Sequence, residues 1–193
     1  YNAFDLYHLI ETIREETETK IHEKHLRFKV SISETVSRHL IADEARLKQI
    51  ILNLISNAIK FTEKGSITVR VEDKSQLPGY SLLRFSIIDT GIGIPKDKLY
   101  TIFENFSQLD ASSTRKYAGA GLGISLAYKL TRQMGGKFGV ESELGQGSSF
   151  WFEIIMDLCN KDQIVKLKEL LSENNEFHFS GDVLVAEDYE VSQ

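Results

Sequence analysis

The sequence predicts an α+β fold, with one layer of helices on a mixed, mostly antiparallel sheet. Three observations predict it. Segments of helical periodicity alternate with segments of strand periodicity along the 193 residues. Turn signals of the hairpin type, Pro78 with Gly79 and Gly145 to Gly147 around Gln146, join consecutive strands. A long polar loop without clear period, residues 107 to 120, interrupts the pattern. Long loops in compact domains tend to be functional lids.

The elements follow in order. Residues 5 to 23 read as a helix whose apolar stripe is Leu6, Leu9, Ile10 and Ile13. Leu26, Phe28, Val30 and Ile32 alternate with polar residues and predict a strand. A short strand around Leu40 and Ile41 precedes Asp43, a good N-cap for a helix over residues 43 to 62. After Gly65, Ile67, Val69 and Val71 alternate as a strand. A further strand over residues 82 to 89 ends in DTGIGIP. Pro95 suits the first turn of a helix running to about residue 106. GLGISLAYKLTRQM predicts a helix opening at glycines. Gly135 and Gly136 turn into a strand over residues 137 to 143, and SSFWFEIIM returns as its partner. Beyond Met156 the chain turns polar. The expected organisation is a domain over 1 to 156, a linker over 157 to 181 and the first strand of a truncated second unit over 182 to 193.

Composition narrows the class. The chain is 41% hydrophobic and 26% charged, ordinary for a soluble globular protein. Its net charge of -5 gives no electrostatic footprint for nucleic acid. The single cysteine, Cys159, excludes an intrachain disulfide and a Cys-based zinc site, and this usage fits a reducing, cytoplasmic setting. No apolar run reaches the roughly 18 residues of a membrane span, so membrane contact by this segment is not expected. The start, YNAFDLYHLIETI, reads as the interior of a longer polypeptide.

The helix over 43 to 62 carries the most informative residues. At about 100° per residue, Leu47, Ile50, Ile51, Leu54, Ala58 and Phe61 share one face. Gln49, Asn53, Asn57 and Lys60 line the other. Two mid-helix asparagines cost helix stability where Glu or Lys would not. A carboxamide offers both donor and acceptor, which suits a polyanion with its cation.

Asp89, Gly91, Gly93 and Pro95 punctuate the end of a strand. The glycines permit close approach of a flat ligand. A carboxylate there only accepts, and so favours adenine, whose exocyclic amine donates, over guanine. Gly119, Gly121 and Gly123 open a helix, where bared N–H groups and the helix dipole hold phosphate. Arg115 and Lys116 on the preceding loop suit a terminal phosphate. Each motif alone is weak. No GxxxxGK[ST] loop is present, and the HRD and DFG signatures of protein kinases are absent.

In succession these motifs resemble the ATP-binding catalytic domain of sensor histidine kinases, within the superfamily of gyrase, the Hsp90 chaperone and MutL. LKQIILNLISNAIKFT resembles the family's N box, DTGIGIP its G1 box, IFENFSQ its F box, GAGLGIS its G2 box and GQGSSF its final glycine motif. The resemblance implies a two-layer α/β sandwich with a mobile ATP lid. It implies ATP and Mg2+ as ligands. Asn57 would bind the metal through its amide oxygen, with Asn53 beside it near the phosphates. Lys60 would contact phosphate, Asn53 and Lys60 being the catalytic candidates, and Phe61 would lie against the nucleoside. Asp89 would take the adenine amine, aided by water and Ser148, with Gly91, Gly93 and Ile94 shaping the pocket. Arg115 and Lys116 would come from the lid, and the backbone at Gly119, Gly121, Leu122 and Gly123 would cradle the triphosphate.

Departures fall at Asn105, where proline is common, and at Ala118 and Ala120, where glycine and a hydroxyl residue are usual. They bear on lid geometry and on one hydroxyl contact. The implied activity is transfer of the γ-phosphate to a histidine on a separate dimerisation domain of the same parent protein. His8, His22, His25, His39 and His178 all lack the context of a phosphoacceptor helix. VLVAEDYEVSQ resembles the first strand of a receiver domain, with Glu187 and Asp188 as its acidic pair, so the parent is expected to be a hybrid kinase. Two alternatives stand beside this. One is a nucleotide-sensing module without catalysis. The other is an ATP-hydrolysing clamp, whose members carry glutamate where this chain has Asn53, a residue unable to act as the base.

Overall fold

The computed structural model describes residues 1–99 and 122–160, together with 162 and 165. Among the described residues are three α-helices and seven strands: β1 (Asn2–Asp5), α1 (Leu6–Glu23), β2 (Arg27–Ile32), β3 (His39–Ala42), α2 (Glu44–Phe61), β4 (Ser66–Leu77), β5 (Tyr80–Asp89), α3 (Leu122–Gln133), β6 (Lys137–Glu143) and β7 (Gly147–Leu158). The strands form one sheet in the order β1-β3-β7-β5-β4-β2, with β6 pairing along β7. Only β2 and β4 pair in parallel among the described strands. The mixed, mostly antiparallel sheet under one layer of helices is the expected two-layer sandwich.

Alternation along the strands builds the core. Ile67, Val69 and Val71 of β4, Leu83, Phe85 and Ile87 of β5, and Phe150, Phe152, Ile154 and Met156 of β7 are buried on the helix-facing side. Phe85 and Phe152 stack with ring centroids 4.9 Å apart. The helices close over this surface with Leu6, Leu9, Ile10 and Ile13 of α1 and with Leu47, Ile50, Ile51 and Leu54 of α2.

Several expectations are refined. The first helix begins at Leu6, because Asp5 is its N-cap and accepts from the N–H groups of Tyr7 (2.9 Å) and His8 (3.1 Å). The four residues of β1 before it pair with β3 across the chain, a strand the local pattern does not announce. Strand β2 forms as predicted, but at the sheet edge, where Val30 is 38% exposed. The buried side of α2 is wider than the predicted stripe: Ile55 and Ile59 join it, while Phe61 is only half-buried. After Pro95 a short 3-10 turn spans Lys96–Lys98. The rest of the helix predicted to residue 106 lies outside the described residues, as do the lid over 107 to 120 and the receiver-like segment over 182 to 193.

Candidate functional site

The site lies where α2 meets the end of the sheet. Asp43 caps α2 by accepting from the Arg46 N–H at 3.0 Å. The helix then carries Asn53, Asn57 and Lys60 along a half-buried flank. The Oδ1 of Asn53 accepts from the Gln49 side chain at 3.0 Å. Its Nδ2 is buried without a hydrogen-bond partner among the described residues. A buried donor left unpaired is costly, and such groups mark places where a ligand completes the set. Lys60 places its ammonium 5.1 Å from the centre of the Phe61 ring.

The last turn of α2 is tied to the DTGIGIP turn. The Ile92 N–H donates to the Phe61 carbonyl at 3.3 Å. A Cβ at residue 91 would lie 2.4 Å from that same carbonyl oxygen, so only glycine fits there. Gly93 has φ +69, and a Cβ on it would lie 2.0 Å from the Glu143 carbonyl. The hairpin between β6 and β7 is thereby drawn against the turn, and the Gly145 N–H donates to the Ile92 carbonyl at 2.8 Å.

Sheet register supplies the remaining groups. Ser142 of β6, Ser148 of β7 and Asp89 of β5 form one cross-strand row. The next row inward on the same side is Val140, Phe150, Ile87 and Val69. A polar triplet therefore sits at the end of an apolar core. Asp89 is 5% exposed and accepts from the Gly91 N–H at 2.8 Å. Burial raises its pKa, and the backbone N–H groups of Gly91 and Ser148 pull against that rise without cancelling it. A cavity of 390 Å³ opens beside Asp89 and Ser148 toward Glu143 and Gln146 of the hairpin. Its lining also takes in Ile88, Glu141 and Ser149, a cross-strand row on the sheet face away from the helices, and neither Asn53 nor Asn57, so this cavity is not the space between α2 and the sheet end.

The first turn of α3 approaches from the other end. A Cβ at Gly123 would lie 3.6 Å from the Asn53 backbone carbonyl oxygen, so the first turn of α3 packs against α2 at Asn53. Contacts thus run without a break from Gly123 to Asn53, and from Phe61 through Gly91 and Asp89 to Ser148. Ile94 joins through its N–H, which donates to the Ser142 hydroxyl at 2.8 Å. Leu122 is the first residue of α3. Arg115, Lys116, Gly119 and Gly121 lie outside the described residues.

Ser142 is the residue that sequence reasoning missed. Its hydroxyl donates to the Gly147 carbonyl at 2.9 Å and meets the Ser148 hydroxyl at 3.0 Å. Its position two residues after Val140, on the core side of a predicted strand, was the available signal: a polar residue there needs a reason.

Comparison with known proteins agrees with this geometry. The family described as "Histidine kinase-, DNA gyrase B-, and HSP90-like ATPase" matches residues 42–158. The chain belongs to that family. Within it, the relatives are histidine kinases. Sensor histidine kinase AruS of Pseudomonas aeruginosa is 40% identical over 157 residues, covering 81% of this chain and 16% of AruS. Signal transduction histidine-protein kinase BarA of Escherichia coli is 42% identical over 137 residues, covering 71% of this chain and 15% of BarA. The chain thus spans a small part of the length of these relatives. Among solved structures, the catalytic domain of histidine kinase ThkA is 30% identical with a TM-score of 0.65, covering 79% of this chain and 93% of that one. Full-length ShkA in complex with AMPPNP is 37% identical with a TM-score of 0.70, covering 81% of this chain and 31% of ShkA. The domain is therefore a histidine kinase ATPase domain. No described helix is long and apolar enough to cross a membrane.

Proposed function

We propose that this domain binds Mg-ATP and donates the γ-phosphate to a histidine on a separate dimerisation domain of the same parent protein. The observation that carries the proposal is the buried carboxylate of Asp89, set at the polar end of an apolar core with α2 closing over it. Asp89 accepts the adenine amine, while Gly91, Gly93 and Ile94 shape the base pocket and Phe61 lies against the nucleoside. Asn53 and Lys60 face the phosphates. The backbone at Gly119, Gly121, Leu122 and Gly123 cradles them, and Arg115 and Lys116 add positive charge. The donor set fits a hard cation, which takes carboxamide and phosphate oxygens, and Asn57 is the protein's ligand to it. Magnesium supplies charge neutralisation on the polyphosphate. The protein's own part is positioning and electrostatic complementarity.

Support comes from the relatives. ShkA was captured with AMPPNP, and ThkA in complex with the response regulator protein TrrA. A Dictyostelium discoideum relative, 41% identical over 150 residues, is a hybrid signal transduction histidine kinase. On that reading the parent is a hybrid kinase with a receiver domain, and this domain works in the cytoplasm. The clamp alternative lacks a base, because Asn53 occupies the helix position that would supply it. A nucleotide-sensing module remains the competing reading where transfer is never observed.

The test has two arms. An ATP analogue is titrated with and without magnesium into the native chain and into Asp89→Asn. The native chain binds with magnesium-dependent affinity, and the variant loses at least about tenfold. The chain is then mixed with the histidine domain of its parent and ATP, and the histidine becomes labelled. Unchanged affinity in Asp89→Asn removes the adenine reading. Binding without transfer under any condition assigns the domain to nucleotide sensing.

A further inference from the structure

Ser142 has one hydroxyl proton and three neighbours. It accepts the Ile94 N–H at 2.8 Å, donates to the Gly147 carbonyl at 2.9 Å and meets the Ser148 hydroxyl oxygen at 3.0 Å. A carbonyl cannot donate, so the contact with Gly147 uses the Ser142 proton. The proton between the two serines then belongs to Ser148. With its only proton directed at Ser142, Ser148 presents lone pairs alone to anything else that approaches. Ser148 is 8% exposed and pairs in register with Asp89, so two acceptors stand side by side at the buried end of the site.

From this arrangement we infer that Ser142 is a specificity-determining residue. It holds the Ser148 hydroxyl as an acceptor, so that a purine carrying an exocyclic amine at C6 is preferred over one carrying a carbonyl there. The inference rests on the reading of Asp89 as the adenine partner. Adenine offers two amine protons, one for the carboxylate and one for the Ser148 oxygen, directly or through a water. Hypoxanthine turns an acceptor toward two acceptors, and its 6-oxo group supplies a donor to neither. Ser142 touches neither base, so it acts through Ser148 as a positioning residue. Without it, the Ser148 hydroxyl is free to rotate and donate to a 6-oxo group.

The experiment measures affinity for Mg-ATP and Mg-ITP in the native chain and in Ser142→Ala, Ser142→Thr, Ser148→Ala and Asp89→Asn. The expected result is that Ser142→Ala lowers the ATP-to-ITP affinity ratio about tenfold, the weight of one buried hydrogen bond. Ser142→Thr keeps the hydroxyl and restores the ratio. Ser148→Ala, which leaves the Ile94 contact in place, lowers the ratio in the same direction, so the inference stays testable if Ser142→Ala folds poorly. A purely structural role weakens both nucleotides equally. An unchanged ratio in Ser142→Ala or in Ser148→Ala overturns the inference while Asp89→Asn still loses ATP. Should Asp89→Asn bind ATP normally, the adenine reading fails and this inference falls with it.

Discussion

Asp89 is held in a place that disfavours its charge. Burial pushes its carboxyl above the ordinary range, and its hydrogen bonds from Gly91 and Ser148 compensate only in part. A raised folded pKa means the native state holds the proton more tightly than the unfolded chain does. Stability from this group therefore falls as pH rises through the window above the unfolded value of 3.8, and returns as pH drops. Asp89→Asn removes the titration. The melting temperature of the variant relative to the native chain is accordingly highest near pH 7 and declines toward pH 4. Calorimetry across that range checks it, and a constant difference contradicts it. Asp5 shows the opposite balance. Burial raises its pKa, but the Arg38 guanidinium and the His8 and Tyr7 N–H groups outweigh burial and lower it. Its contribution is present above the unfolded value and is lost as pH falls through the folded one. One carboxylate is stabilised for structure; the other keeps unused acceptor capacity for a ligand.

At the scale of elements, the C-terminus of α2 depends on a residue from α1's end. Lys24 donates its ammonium protons to the carbonyls of Ile59 (2.6 Å), Lys60 (3.2 Å) and Thr62 (3.4 Å). The Phe61 carbonyl, between them, takes the Ile92 N–H. The otherwise orphaned carbonyls of the last turn are thus satisfied by the Lys24 ammonium and by the DTGIGIP turn. Lys24→Met is expected to cost about 2 kcal/mol in urea unfolding, since three carbonyls lose a charged donor. Lys24→Arg recovers part of that loss. Nothing in the local sequence marks Lys24, because its partners lie 35 to 38 residues away. Strand β1 was missed for the same reason: its four residues form a strand through pairing with β3, not through a pattern of their own. Helix α2 was legible because its N-cap Asp43, its periodicity and its length are all local to that segment.

Across the whole molecule, the site is assembled by bringing the sheet's end, the hairpin and α2 onto one turn. Gly93 is where they meet most closely. Gly93→Ala forces a Cβ toward the Glu143 carbonyl at φ +69, and moves the turn away from the hairpin. The expected outcome is a loss of about 2 kcal/mol in stability, together with weaker adenine nucleotide binding. A variant that keeps native affinity would show that the hairpin contact is dispensable to the site.

The succession of motifs along the chain was enough to place the family, because asparagines inside a helix and glycines at strand ends carry their chemistry locally. The same holds for α1, α2, α3 and the hairpins, whose periods and turn signals are written in neighbouring residues. Folding alone decided that β2 lies at an edge, that Lys24 caps a distant helix, and that Ser142, Ser148 and Asp89 share one row. The physical reason is register. Residue alternation tells which face a side chain takes, but not which residue of another strand stands opposite it.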